Sequence, residues 1–327
     1  MNSSLRLGQC LRGQNGIYTV GKQLQETVWV ARYEATANFM EAPLITVLYS
    51  KSGSNQPVIV KSVNHFRLQN ERDILNCFQS RTPFIRPLVD EIIEPSNPPA
   101  IVLKYLDDHL LNASVSKRLT SQEIRYVARR ILEALKVLHE NNFVHTDIKP
   151  DNVLVNYGQG NVRFTDVQLA DCGNTVPTDS AYAKDSDLIG APIWRSPEAQ
   201  LRIGWGTPTD IWSFGALLIT LLYGDNFFIF KPDIPADHDD YELKILQRQC
   251  EFFGPFPLTY REICPQETLN ILAYIMKSIP PEKKKPFTRI SEKEISREDK
   301  EFILRIMKLD PRDRPSAAEL LQDKWFC

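Results

Sequence analysis

Residues 145 to 152 read His-Thr-Asp-Ile-Lys-Pro-Asp-Asn, and this stretch constrains the chain more than any other. His145, Asp147, Lys149 and Asn152 fall at fixed offsets, and an apolar, strand-like run, Val153-Leu154-Val155, follows at once. A loop held by a strand can aim several side chains at one point. That arrangement suits phosphoryl transfer. A carboxylate orients a hydroxyl and accepts its proton, a lysine neutralises the moving phosphoryl group, and an amide oxygen helps to hold a metal. Asp147, Lys149 and Asn152 supply those groups in that order.

The chain has 327 residues, 43% hydrophobic and 24% charged, which suits one large two-lobed domain or two ordinary ones. A formal net charge of -2 gives no bulk attraction to nucleic acid or to an anionic membrane, so neither is expected as a partner. The cysteines at 10, 77, 172, 250, 264 and 327 are scattered and form no Cys-x-x-Cys pair. That is the pattern of reduced thiols and of an intracellular protein, in the cytoplasm or nucleus. No apolar core follows a basic start, so no signal peptide is expected. The longest apolar run, Phe214 to Tyr223, is interrupted by Gly215 and Thr220 and is too short to span a bilayer.

Along the chain, polar residues 1 to 16 predict a flexible tail. Strand-like runs follow at Ile17 to Val20, Thr27 to Ala31, Val58 to Val60 and Ile101 to Leu103, with a possible extra strand at Leu44 to Leu48. A short helix fits 66 to 78. From Ile124 the spacing Val127, Ala128, Ile131, Leu132, Leu135, Leu138 is helical, and Thr120 with Glu123 forms a capping box before it. Strand pieces are expected at 153 to 156 and 167 to 170. From Thr209 the chain reads as mostly helical, and Ser316 with Glu319 makes a second capping box. The fold class expected is α+β, with a β-rich first third meeting a helical remainder near Tyr105-Leu106.

The 145–152 stretch resembles the catalytic loop of eukaryotic protein kinases, His-Arg-Asp-x-Lys-x-x-Asn, with Thr146 in place of the arginine. The resemblance covers roughly residues 18 to 326 and looks most like divergent fungal members of the family. It implies a bilobal fold over 17–327, with a small β-rich lobe at about 17–104 and a larger helical lobe at about 107–327. It also implies ATP and Mg2+ as cofactors and a protein as substrate. Asp147 would orient the hydroxyl, Lys149 would steady the γ-phosphoryl group, and His145 would be structural. Asn152 and Asp171, the latter in Asp171-Cys172-Gly173, would hold magnesium. Lys61, set by Glu71, would hold the α- and β-phosphates, and the stretch Leu103, Lys104, Tyr105, Leu106 would receive the adenine. Lys149 two residues past the aspartate resembles the serine/threonine class.

Further structural pieces carry the same resemblance. Ser196-Pro197-Glu198 looks like the end of an activation segment, with Glu198 paired to Arg314, and Asp210 looks like the residue that anchors the catalytic-loop backbone. Arg195 beside that motif is similar to the group of cyclin-dependent, MAP and SR-protein kinases. The chain also departs from the family pattern. Gln23 to Thr27 stands where the glycine-rich loop belongs, Ile59 replaces a small alanine, Cys172 a phenylalanine and Ala191 a threonine. These departures keep open a second reading, a pseudokinase acting as a binding scaffold. A small-molecule kinase on the same fold is a third.

Overall fold

The computed structural model describes residues 5–34 and 55–327. In the strand Val28–Glu34, Trp29, Ala31 and Tyr33 are buried while Arg32 and Glu34 face solvent. A period of two is what a half-buried strand requires. Six strands, β1 (Cys10–Gly13), β2 (Ile17–Gln25), β3 (Val28–Glu34), β4 (Gln56–Ser62), β5 (Leu88–Glu94) and β6 (Ala100–Lys104), pair antiparallel in the order β1-β2-β3-β4-β6-β5. Leu11, Tyr18, Val20, Trp29, Val58 and Val60 belong to one apolar core on this sheet.

The expectation of a flexible tail over 1–16 fails at β1. Cys10–Gly13 pairs with β2 and also with β5. Buried Asp90 explains why a polar segment is held. Its carboxylate accepts the backbone N–H of Gln14 at 3.1 Å and of Asn15 at 2.9 Å, the Asn15 amide at 3.1 Å and the Tyr18 hydroxyl at 2.8 Å. A Cβ at position 13 would overlap that carboxylate, so only glycine lets the turn approach it. The candidate strand Leu44 to Leu48 lies outside the described residues.

The helix Phe66–Phe78 has the bounds its apolar spacing predicts, and His65 caps it by accepting the Arg67 N–H at 3.2 Å. Its buried face includes Leu68, Ile74, Leu75 and Phe78, together with the carboxylate of Glu71.

The chain divides into two compact units. The first takes the residues up to Asp107 and also Gln168–Asn174, and the second takes Asp108–Val167 and Thr175–Cys327. The division near Tyr105-Leu106 is therefore displaced by a residue or two, and a later segment joins the first unit.

In the second unit, helix Ser121–Glu140 carries the predicted stripe of buried residues and opens with the capping box of Thr120 and Glu123. It packs against helix Thr207–Tyr223, whose residues from Thr209 to Leu222 are all buried. A helix apolar on every side belongs in a core. Among the described residues, no helix is long and apolar enough to cross a membrane. The second capping box, Ser316 with Glu319, opens only a single turn, Ala317–Leu320.

Candidate active site

In the first unit, the alternation of β4 decides which side chains reach the core. Val58 and Val60 join the apolar cluster, so Ile59 and Lys61 take the other face. Glu71, buried on its helix, needs a cation, because an unpaired buried carboxylate is costly. Lys61 Nζ donates to Glu71 Oε2 at 2.6 Å and to Asp171 Oδ1 at 2.9 Å. Burial by itself would lower the lysine's pKa, but the two carboxylates outweigh it and hold the ammonium charged well beyond its ordinary range. The Asp171-Cys172-Gly173 segment lies against the same helix. Asn70 Nδ2 donates to the Gly173 carbonyl at 3.1 Å, and Cys172 is fully buried. The thiol thus packs as a small hydrophobe where the family has an aromatic ring.

The hairpin between β2 and β3 closes through a two-residue turn at Glu26-Thr27, with Gln25 opposite Val28. The turn has no glycine. It is too short to curl successive N–H groups around a phosphate. Ile59 is buried opposite Leu103 in the β4–β6 ladder.

In the second unit, Asp147 gathers the loop. Its Oδ2 accepts Lys149 Nζ at 2.7 Å and Asn152 Nδ2 at 2.9 Å, and the same amide donates to the Asp147 carbonyl at 2.8 Å. Asp147 Oδ1 is buried with no hydrogen-bond partner among the described residues. The donor end of Asn152 is committed inward, so its amide oxygen is the end that could serve a metal. Lys149 neutralises one oxygen of the carboxylate and leaves the other to accept.

Asp210 holds this loop by its backbone, accepting the His145 N–H at 2.8 Å and the Thr146 N–H at 2.9 Å. His145 is fully buried, and its Nδ1 accepts the Asp147 N–H at 3.4 Å. Thr146 sits at φ 70° and Asp171 at φ 60°. A β-branched residue there is strained, and the two bonds of Asp210 help to hold it. Glu198 and Arg314 meet in a buried pair at 2.6 and 2.8 Å. Across the chain, the expected residues fall into two sets. Lys61, Glu71, Asp171 and the stretch Leu103 to Leu106 lie in the first unit, and His145, Asp147, Lys149, Asn152, Glu198, Asp210 and Arg314 in the second.

Two further residues, His139 and Arg86, escape sequence reasoning, and Arg195 takes a role that its subgroup resemblance does not give. His139 Nε2 lies 3.0 Å from Asp210 Oδ2, and its only local sign is a place near the end of a periodic helix. Arg195, marked only by the motif beside it, donates to the carbonyls of Ile189 at 2.7 Å and Gly190 at 3.2 Å and pairs with Glu242 at 3.1 Å. Arg86 Nε donates to the Lys104 carbonyl at 2.8 Å, with no local signal at all. Of the hydroxyls between 174 and 189, Thr175 and Ser186 are buried, and Ser180 caps the short helix Ala181–Lys184.

The residues present fit magnesium in kind: a carboxylate and an amide oxygen are hard ligands of the sort it takes. The family described as protein kinase domain matches residues 51–326. The serine/threonine-protein kinase SMU1 of Mycosarcoma maydis is 31% identical over 179 residues, covering 53% of this chain and 23% of that protein. The serine/threonine-protein kinase PAK mbt of Drosophila melanogaster is 32% identical over 137 residues, covering 42% and 20%. The serine/threonine-protein kinase PAK 1 of Mus musculus is 35% identical over 126 residues, covering 38% and 22%. The chain thus spans less than a quarter of the length of the curated relatives it matches.

Proposed function

The chain belongs to the protein kinase domain family, and on that premise we propose that it transfers the γ-phosphoryl group of ATP to serine or threonine hydroxyls of a protein substrate. One observation carries the reading: the Asp147 carboxylate has one oxygen paired with the Lys149 ammonium and hydrogen-bonded by the Asn152 amide, and the other buried with no partner among the described residues. A carboxylate so divided can accept a hydroxyl's hydrogen bond on the open oxygen while its charge stays fixed. Lys149 supports the choice of serine and threonine, as does the likeness to serine/threonine-protein kinases.

In this mechanism Asp147 orients the hydroxyl and takes its proton as the oxygen attacks phosphorus. Lys149, already 2.7 Å from that carboxylate, offsets charge on the transferring group. Lys61, kept charged by Glu71 and Asp171, binds the α- and β-phosphate oxygens. Asn152 and Asp171 would hold magnesium, which when bound neutralises phosphate oxygens. The hinge stretch Leu103 to Leu106 takes the base. The hairpin turn at Glu26-Thr27 adds no phosphate-binding residue, so cover over the phosphates is thin and nucleotide affinity is low for this fold.

Transfer of radiolabelled γ-phosphate to generic basic and Ser/Arg-rich proteins tests the reading. Asp147→Asn should reduce transfer by about 10²–10⁴-fold while leaving the fold intact. A wild-type protein that transfers nothing would support a binding scaffold instead.

A further inference from the structure

In helix Tyr241–Phe253, Lys244, Gln247, Arg248 and Glu251 recur every three or four residues and so share one face. That face is one wall of a cavity of about 350 Å³, closed by the end of helix Gln266–Ser278 and the segment after it. Three bonds set the wall. Gln247 Nε2 donates to Ser278 Oγ at 3.0 Å and ties the two helices together. The Lys285 N–H donates to the Glu251 carbonyl at 3.1 Å and fastens the lysine-bearing segment to the helix end. Arg248 Nε donates to the Ile229 carbonyl at 2.9 Å, which holds the guanidinium by one edge.

Charge in this cavity is unbalanced. Lys244, Arg248, Lys283 and Lys285 line it against the carboxylates of Asp233 and Glu251, an excess of two positive charges. Burial pushes the Glu251 carboxyl up, and Arg248, Lys283, Lys285 and Lys244 all pull against that shift, so the four cations surround one carboxylate. Among the described residues none of the four makes an ion pair. Cations gathered in a recess repel one another, and a bound anion relieves them.

A phosphate monoester fits this recess. Its charge of about −1.5 to −2 at neutral pH matches the excess, and its oxygens suit the flat edge of a guanidinium. A lone phosphate fills a small part of the volume. Ile234 and Ile279 add apolar wall for whatever carries it. The segment leading from Asp233 into the helix bears exposed Asp237, Asp239 and Asp240, which repel the broad anionic face of a membrane but leave room for a narrow peptide. We propose that this cavity docks a phosphoserine or phosphothreonine segment of a partner protein, with an apolar residue beside the phosphorylated one. The proposal goes beyond the phosphoryl-transfer reading and uses none of its residues.

Fluorescence anisotropy of the full chain, without nucleotide, tests it. The probes are a peptide library fixed at one phosphoserine with degenerate flanks and the same library unphosphorylated. The phosphorylated library should bind more tightly by about tenfold or more, the scale of one charge-assisted hydrogen bond. Lys283→Gln with Lys285→Gln, both at exposed positions, should cut that affinity by about tenfold. Lys284→Gln should leave it within about twofold, because Lys284 lines a neighbouring cavity instead. Glu251→Gln should tighten binding, since it removes an anion that competes for the same cations. Equal binding of the two libraries, an unmoved affinity in the double variant, or an equal loss in Lys284→Gln overturns the assignment. Inorganic phosphate that displaces the library at the library's own affinity shows a site for the free ion and overturns the docking role. Vesicles of phosphatidylserine and phosphatidylinositol 4-phosphate that bind where the library does not would give the surface to a membrane and overturn it equally.

Discussion

Arg314 and Glu198 form a two-point fork, Nη1 to Oε1 at 2.6 Å and Nη2 to Oε2 at 2.8 Å, between residues 116 positions apart. The remaining N–H groups of the guanidinium go to the carbonyls of Lys308, Pro208 and Leu309 at 2.7, 3.0 and 3.0 Å, and Trp212 lies 5.1 Å beneath it. All five donors are spent. Arg314→Ala should therefore cost about 3–5 kcal/mol, the typical loss when one partner of a buried pair is removed. Arg314→Lys should recover little, since an ammonium cannot reproduce the fork. Thermal unfolding reads both, and an unchanged melting temperature would remove Arg314 from the stability of the second unit.

Asp147 and Asp171 can be separated by experiment. Asp147→Asn should abolish most transfer while MgATP binding survives. Asp171→Asn removes a charge that Lys61 contacts at 2.9 Å, so it should weaken MgATP binding as well as transfer. Parallel titrations and transfer assays on the two variants make the comparison. Equal losses of binding in both would show that the roles are not divided.

Gly190 takes φ 57°, and a Cβ there would lie 2.7 Å from the Thr146 carbonyl and 3.4 Å from Asp147 Oδ1. Gly190→Ala is thus strained in its backbone and presses on the loop that aims Asp147. A misplacement of about 1 Å can cost about 10²-fold in rate. Transfer should fall on that scale while nucleotide affinity holds. A full rate in the variant would mean that the loop yields without consequence.

Activation should not depend on a phosphate in the segment after Asp171. Thr146 offers no guanidinium to grip one, Thr175 and Ser186 are buried, and Val176–Pro177 already pairs with Phe143–Val144. The double change Thr178→Ala and Tyr182→Phe should leave transfer within a few-fold. A collapse in rate would show that some other cation serves the phosphate.

All six cysteines are free thiols, and their environments differ. Burial pushes the Cys250 pKa up to about 11 from an ordinary 9.0. The native thiol thus stays protonated at pH 8, and its contribution to stability is present below pH 9 and lost as the pH rises toward 11. Alkylation at pH 8 followed by mass spectrometry should label exposed Cys10, Cys77 and Cys327 and spare buried Cys172 and Cys250. Rapid labelling of Cys250 would contradict its burial.

Much of this was legible before any coordinate. The polar set from His145 to Asn152 stands in one short stretch, and helix Phe66–Phe78 and the capping boxes at Thr120 and Ser316 are written in local spacing. Other features failed locally. Cys10–Gly13 has too few apolar residues to announce a strand; it is held by pairing with β2 and β5, and the turn after it by Asp90, far away in the chain. Helix Ala317–Leu320 has the cap of a longer helix but lasts one turn.

The sequence by itself determined helices such as Phe66–Phe78 and Ser121–Glu140 and which residue types the candidate site holds, because caps, periodicity and loop chemistry act over a few residues. Only the tertiary structure decided how those residues are constrained. It set Glu71 and Asp171 on Lys61, His139 on Asp210, Asp90 beneath the first turn, and Arg86 on the carbonyl of Lys104. Those are pairings across 10 to 110 positions. A charged or polar group shows no local sign of its partner until folding buries it and burial makes the partner obligatory.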